Sequence, residues 1–452
     1  MRDLTEGSIT AHLYALAVPI AIGMGFQTAY FLVDLYFVAQ LGDQVIAGVS
    51  AAGNVQFLLM ALTQVLGVGS MALISHAVGR KDQAESNLIF NQSLLLAVLC
   101  TLLTVVLGVF GARAYLSKVA SDAAVVAAGL SYLYAYLPGL ALQFVLVALG
   151  SALRGTGIAK PTMVVQMVTV LLNIVLAPML IAGWGTGLAL GAAGAGLASS
   201  IAIALGVLMM VIYFVRLERY VHFDRQLMAP QLAIWKRILR VGIPPGGEFA
   251  LMFVYFAVIY WVLRPFGAEA QAGFGIGTRV MQAIFLPAMA VAFAVAPLAG
   301  QNVGAQRPDR VRQSFRAAAI NGGAIMLILT LICQWFPQQL IAGFSGEPQV
   351  VAFGAEFLQI ISWNFLLSGL VFTCSGMFQA LGNTLPALLS SASRLLTFAL
   401  PAIVLSGWSE FSPRLLWMLS VASVAGQALI SYWLLQRAMN RPQSTQGVKS
   451  SK

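Results

Sequence analysis

The chain repeats itself at an offset of 225 residues, and that repeat restricts its architecture more than any single motif. Pro19, Gly42, Gly48, Gly79, Gly157 and Pro161 recur as Pro244, Gly267, Gly273, Gly304, Gly382 and Pro386. Val78 with Val303, Val125 with Val350, Gly129 with Gly354 and Leu133 with Leu358 keep the same step. A tandem duplication requires two copies of one topology joined by a linker.

The repeated unit is apolar. Only 9% of the 452 residues are charged and 60% are hydrophobic, against about 25% charged in soluble domains. Water cannot be the solvent for so much apolar surface, so the lipid bilayer must be. Stretches long enough to cross it, about 20 residues each, fall at roughly 13–38, 45–76, 86–110, 123–150, 160–184 and 190–216. A second set falls at roughly 240–264, 270–302, 313–336, 348–378, 385–407 and 413–437. The expected fold is an all-α membrane protein of 12 transmembrane helices in two six-helix lobes. Six spans per unit is even, so both units enter from the same side. The repeat is then parallel, with its symmetry axis along the membrane normal.

Basic residues orient such a chain, because cytoplasmic loops carry the excess of Lys and Arg. With the N-terminus inside, 19 of the 25 Lys and Arg lie in cytoplasmic segments. Arg113, Lys118, Arg264 and Arg414 lie on the other side, and Arg279 and Arg394 fall within spans. Both termini are therefore expected in the cytoplasm, with the chain in the plasma (inner) membrane. The net charge of +10 is spread over short loops as a topology determinant, and no nucleic-acid partner is expected. The flank before the first span is short and lacks a small-residue cleavage pattern, so no cleavable leader is expected. Cys100, Cys333 and Cys374 have no paired spacing, which argues against a disulfide framework or a metal site.

The expected organisation is an N-terminal lobe at 1–216, a cytoplasmic linker at 217–239, a C-terminal lobe at 240–437 and a disordered tail at 438–452. Leu232, Trp235, Ile238 and Leu239 recur at helical spacing opposite Lys236, Arg237 and Arg240, which predicts an amphipathic surface helix within the linker.

Ionisable residues inside spans are the sharpest functional signal, since each costs about 2.5–3.5 kcal/mol at the bilayer centre. Asp34, Glu248, Arg279, Glu356 and Arg394 qualify. Counting the helical rise from span starts places Glu248 and Arg394 roughly 12–15 Å from the cytoplasmic face. Arg279 and Glu356 fall roughly 12–14 Å from the outer face. Two structural or gating pairs, Glu248 with Arg394 and Arg279 with Glu356, are expected, because pairing relieves desolvation. Asp34 differs: its lobe supplies no intramembrane Lys or Arg. An unneutralised buried carboxyl is a candidate proton carrier. Asn173 sits at a similar depth, and Asn54 and Ser199 are within possible reach.

No HExxH, Walker or Gly-x-Ser-x-Gly string is present, so neither an enzyme nor an ATP-driven pump is expected. An ion gradient is the remaining energy source. Gln27, Tyr30, Asn54, Met163, Gln166, Glu248, Met252, Met281 and Gln282 are candidate cargo contacts, since flexible methionines, aromatics and amides suit a hydrophobic, cation-tolerant cavity.

In its strings FLVDLYFVAQLG at 31–42, HAVGRKD at 76–82, LRGTGIAKPT at 153–162 and LLNIVLAP at 171–178, the chain resembles the multidrug and toxic compound extrusion (MATE) family. GAAGAGLASS at 191–200, VGIPPGGE at 241–248 and QNVGAQR at 301–307 extend the resemblance over its whole length. The resemblance implies a central cleft between the lobes. It also implies export of amphipathic, often cationic compounds by alternating access, driven by protons or sodium, with no cofactor. The family's coupling aspartate of span 1 falls on Asp34, its asparagine partner on Asn173 and its span-6 hydroxyl on Ser199.

Many prokaryotic relatives carry a second carboxylate four residues after that asparagine, and this chain has Ala177. Near the late span-10 acid of the sodium-coupled subgroup it has Ser368 and Gly369. Fewer oxygen ligands disfavour a sodium site, so protons are the expected coupling ion. Glu248 matches a position common in the branch related to DNA-damage-inducible protein F. The alternatives are a sodium-coupled drug antiporter and a lipid-linked oligosaccharide or lipid flippase. A flippase would want several free cations around a pyrophosphate, and only Arg279 and Arg394 are available. A monomer is expected.

Overall fold

The computed structural model describes residues 1–120, 122–185, 187 and 189–440, except the side chains of 31, 32, 34, 35 and 39. The first set of helices is α1 (Ile9–Ala39), α2 (Asp43–Gly79), α3 (Gln83–Val119), α4 (Ala123–Gly155), α5 (Lys160–Ile181) and α6 (Ala192–Arg216). The second is α7 (Leu232–Leu263), α8 (Ala268–Gly304), α9 (Pro308–Trp335), α10 (Pro337–Ala342), α11 (Pro348–Ile361), α12 (Asn364–Ala380), α13 (Leu385–Leu405) and α14 (Pro413–Asn440). Among the described residues, 11 helices are individually long and apolar enough to cross a membrane. The pair α11 and α12, bent by 57°, supplies a twelfth crossing.

That bend departs from the unbroken span expected at 348–378. Three carbonyls and hydroxyls around the break are satisfied by side chains of α9. Thr330 donates to the Ser362 carbonyl at 3.1 Å, and Gln334 Nε2 donates to the Gln359 carbonyl and to Ser362 Oγ, each at 2.7 Å. Backbone can leave the helical path inside a bilayer only when protein groups replace the lost bonds. Two boundaries also shift. Helix α7 begins at Leu232, so the amphipathic stretch of the linker runs unbroken into the next span. Its Ile238, fully buried, packs on Gly69 of α2 rather than on lipid. Helix α14 continues to Asn440, into the expected tail; the tail from Arg441 lies outside the described residues.

The repeat has a structural reason at several matched positions. Gly42 and Gly267 cap the starts of α2 and α8 with φ of 99° and 91°, a left-handed conformation that side chains disfavour. Pro161 and Pro386 occupy the first turns of α5 and α13, where the missing N–H has no intrahelical partner to lose. Helix pairs repeat as well. Contacts α2–α4, α4–α6, α5–α6 and α1–α5 recur as α8–α12, α12–α14, α13–α14 and α7–α13.

The two sets meet through α1, α2, α7 and α8. Helix α2 packs on α7, α1 on α8, and α2 on α8. The first two are one contact seen twice, because α7 and α8 are the repeat copies of α1 and α2. A self-complementary interface of this kind is what a two-fold relation generates. Gly79 and Gly304 make it visible. A Cβ on Gly79 would lie 2.8 Å from the carbonyl carbon of Gln301 and closer still to its oxygen. A Cβ on Gly304 would lie 2.8 Å from the carbonyl carbon of His76, and likewise closer to its oxygen. Gln301 is itself the repeat equivalent of His76. This seam closes the face that carries the N-terminus and most of the basic loops, here termed the basic face. Leu13, Leu16 and Ala17 of α1 are buried there among Leu298, Ala299 and Phe378 of the second set. His76 Nε2 meets the Ala380 carbonyl at 2.6 Å, and Arg237 of α7 pairs with Glu85 of α3 at 3.0 Å.

Candidate functional site

Among the described residues, two polar clusters lie near the ionisable positions picked out in the spans. In the first set, α1, α5 and α6 bring Tyr30, Asn173 and Ser199 together. The Tyr30 hydroxyl donates to Ser199 Oγ at 2.5 Å, and Asn173 Nδ2 donates to the same oxygen at 3.4 Å. Asn173 and Ser199 are fully buried. Asn173 Oδ1 is buried without a hydrogen-bond donor among the described residues. An amide oxygen left this way costs about 1–3 kcal/mol, so the cluster favours any group that can offer it a proton. Residue 34 lies one turn beyond Tyr30 on α1; the Asp34 side chain lies outside the described residues. Ala177, one turn beyond Asn173, is fully buried and sets a methyl on that face of α5. The small residues of α6 permit this convergence: Gly194 and Gly196 pack directly on the backbones of α5 and α4.

Of the proposed cargo contacts in this half, Gln27, Met163 and Gln166 are half-buried and Asn54 is exposed. Met163, Gln166 and Asn173 follow helical spacing along α5. No hydrogen bond from Asn54 to Tyr30, Asn173 or Ser199 is found among the described residues.

The second cluster joins α7, α12, α13 and α14. Ser391 Oγ donates to Glu248 Oε2 at 3.5 Å and accepts from Gln427 Nε2 at 3.3 Å. One turn of α13 further on, the Arg394 guanidinium lies 4.5 Å from the centre of the Tyr255 ring. The Tyr255 hydroxyl bonds Ser420 Oγ at 2.8 Å, and Asn364 Nδ2 donates to Ser420 at 3.5 Å. Met281 is half-buried, while Met252 and Gln282 are exposed.

Neither expected ion pair is formed in this conformation. Arg394 stacks on Tyr255, and Glu248 is held by Ser391. Arg279 and Glu356 are both exposed, with no ion pair between them among the described residues. Glu356 instead lines a surface depression of about 540 Å³ with Glu269 and Arg414. Helical rise gives height in the membrane but not azimuth about each helix, and the α11–α12 bend turns Glu356 off the line of a straight span. Ser391, Gln427, Asn364 and Ser420 were not singled out from the sequence. The buried amides were detectable by the cost argument used for charges, since an unpaired amide in hydrocarbon is also expensive.

A sequence model of the family described as MatE matches residues 19–179 and 244–405, once in each half. A probable multidrug resistance protein, YoeA, of Bacillus subtilis is 24% identical over 446 residues, covering 98% of this chain and 96% of its own. The multidrug export protein MepA of Staphylococcus haemolyticus is 27% identical over 388 residues, covering 84% and 83%. A solved structure described as an outward-facing conformation of a multidrug resistance MATE family transporter superposes with a TM-score of 0.90 at 22% identity, covering 97% and 98%. None of these three is a DNA-damage-inducible protein F.

Proposed function

The chain belongs to the MATE family of multi-pass membrane transporters, and we propose that it exports amphipathic, often cationic organic compounds in exchange for protons. The observation that carries this reading is the Tyr30–Asn173–Ser199 cluster, with Asn173 and Ser199 buried and the Asn173 oxygen undonated one helix away from residue 34. A protonated Asp34 carboxyl has a hydrogen to give Asn173 Oδ1; an ionised one does not. Protonation therefore favours packing α1 against α5 and α6, and deprotonation loosens that contact and leaves a negative charge for a cationic cargo. Ala177 in place of a carboxylate leaves few oxygens for a sodium ion, which supports protons as the coupling ion. Both termini are assigned to the cytoplasm from the basic loops, so the closed seam faces the cytoplasm. The closer likeness to the DNA-damage-inducible protein F branch rests on Glu248 alone.

The test is dye antiport in proteoliposomes, with a pH gradient and a sodium gradient imposed separately. Proton-driven flux that is lost in Asp34→Asn supports the proposal. Full antiport in Asp34→Asn ends the proton-carrier role. Sodium-driven flux would instead move coupling to a cation site elsewhere.

A further inference from the structure

Residues 2–7 precede the first membrane helix, yet Leu4 and Thr5 are 0% and 4% exposed, like residues of the core. The segment is held from both sides of the seam. On the first lobe, the Arg2 N–H donates to the Thr156 carbonyl in the α4–α5 turn at 2.9 Å. Gly157 in that turn lies flat against the Arg2 carbonyl, where a Cβ would come to 2.7 Å. On the second lobe, the Leu4 N–H donates to Gln301 Oε1 at 3.0 Å, and Asn302 Nδ2 donates back to the Leu4 carbonyl at 3.2 Å. Arg307 donates to the Thr5 carbonyl at 2.6 Å, and Arg310 donates to the Gly7 carbonyl at 3.1 Å and the Leu4 carbonyl at 3.3 Å. Asp3 folds the segment on itself by accepting from the Thr5 N–H at 2.8 Å and the Thr5 hydroxyl at 2.6 Å.

Gln301 ties these bonds to the seam. While its oxygen holds Leu4, its Nε2 donates across to the Gly155 carbonyl of the first lobe at 3.0 Å. Separation of the lobes on this face must break the Gln301–Gly155 bond together with one anchorage of residues 2–7. The two anchorages differ in kind. The second-lobe side uses guanidinium donors, and charge-assisted hydrogen bonds are roughly twice as strong as neutral ones. Within residues 2–7 the first-lobe side is a single amide-to-carbonyl bond, and the preceding Met1 ammonium adds one long ion pair to Glu218, at 3.8 Å, against three guanidinium hydrogen bonds on the second-lobe side.

We propose that residues 2–7 form a strap that locks the two lobes together across the basic face. The strap stays with the second lobe, and the inward-open state forms only when it releases Thr156. The proposal rests on alternating access as the mode of transport, but its test reads the gate and not the flux. Ser75 of α2 is fully buried beside Gly300 of α8, inside the seam. A single cysteine there (Ser75→Cys, with Cys100, Cys333 and Cys374 replaced by Ala) reports opening through its reaction with a membrane-impermeant maleimide added to the basic face.

With residues 2–7 in place the cysteine should label slowly. Deletion of residues 2–7 should raise the rate tenfold or more, and Arg307→Ala, which keeps the segment but loosens its second-lobe anchor, should raise it severalfold. Rates within twofold of the parent in both variants overturn the proposal. Cross-linking covers the case in which the deletion does not fold. Cysteines at Arg2 and Thr156, joined by a thiol bridge, should stop dye antiport until reductant is added. Unchanged antiport with the bridge fully formed also overturns it. If antiport is absent from the parent protein while labelling responds as expected, the transport reading fails and the strap stands.

Discussion

Substituting Gly79 by Ala places a methyl group where the two lobes touch. The new Cβ would lie 2.8 Å from the Gln301 carbonyl carbon, with the carbonyl oxygen nearer and Ala305 N at 3.0 Å. Ordinary van der Waals contact begins at 3.4 Å. The ends of α2 and α8 must therefore part by at least the 0.6 Å between those two values, and further to clear the oxygen. Both neighbours are backbone, so no side-chain rotation can relieve the overlap. Overpacking of this kind costs about 1–3 kcal/mol, and the cost falls only on the closed seam because the clash vanishes when the lobes separate. The ratio of closed to open seam should fall by about 5- to 150-fold. Maleimide labelling of Ser75→Cys from the basic face should rise accordingly, and Gly304→Ala, its repeat equivalent against His76, should match it within about threefold. Gly53→Ala, at a site with nothing within 4 Å, is the control and should not change the rate. Parent-like labelling in both Gly79→Ala and Gly304→Ala would refute the two-fold seam as the gate.

Ser200 donates to the Ala135 carbonyl at 2.7 Å and accepts from the Gly139 N–H at 3.1 Å, on either side of Pro138 in α4. Ser200→Ala should cost about 1–3 kcal/mol, read as a lower thermal midpoint in detergent; an unchanged midpoint would mean that α4 satisfies both groups itself. A double-mutant cycle on Tyr255→Leu and Arg394→Met should return a coupling of about 0.5–2 kcal/mol, whereas zero coupling would make the stacking incidental. Burial alone would raise the Asp3 carboxyl, but the hydroxyl and N–H of Thr5 and the fields of Lys81 and Arg307 hold it below its ordinary 3.8. Its contribution is then complete above that value and fades as pH falls through the lowered one. Thermal midpoints taken from about pH 5 to about pH 3 should drop less steeply in Asp3→Asn than in the parent; parallel curves would remove Asp3 from the strap's stability.

Much of the architecture was legible in the chain because it follows from one-dimensional rules. Span count comes from the length of apolar runs against the thickness of a bilayer, and the parallel repeat comes from a fixed offset. Gly48 meets Gly129 in the first lobe as Gly273 meets Gly354 in the second, so the matched glycines were packing constraints recorded twice. Asn173 and Ser199 were also legible, since a polar group buried in hydrocarbon needs a partner at the same depth. The depth argument set Asn173, Asn54 and Ser199 around residue 34; in the folded chain Asn173 and Ser199 bond each other with Tyr30 as the third member, and Asn54 is exposed outside that cluster.

Depth failed where azimuth mattered. Residue counting put Glu248 and Arg394 at one height, yet the carboxylate finds Ser391, one turn before Arg394, and the guanidinium finds the ring of Tyr255, two turns beyond Glu248. Height follows from counting residues, but the direction a side chain takes around its helix is decided by which neighbour each helix rolls against. The bend between α11 and α12 is a similar case: neither Ser362 nor Trp363 compels it, and it persists because Thr330 and Gln334 of another helix satisfy the exposed backbone. Composition and repeat thus determined that this protein spans the membrane as two related halves. Only the packed structure decided which halves of those helices close on one another, and that residues 2–7, a short flank before the first span, end as a tie between them with Leu4 and Thr5 buried. Burial of that kind depends on partners some 150 to 300 residues away in sequence, a distance that no local pattern can register.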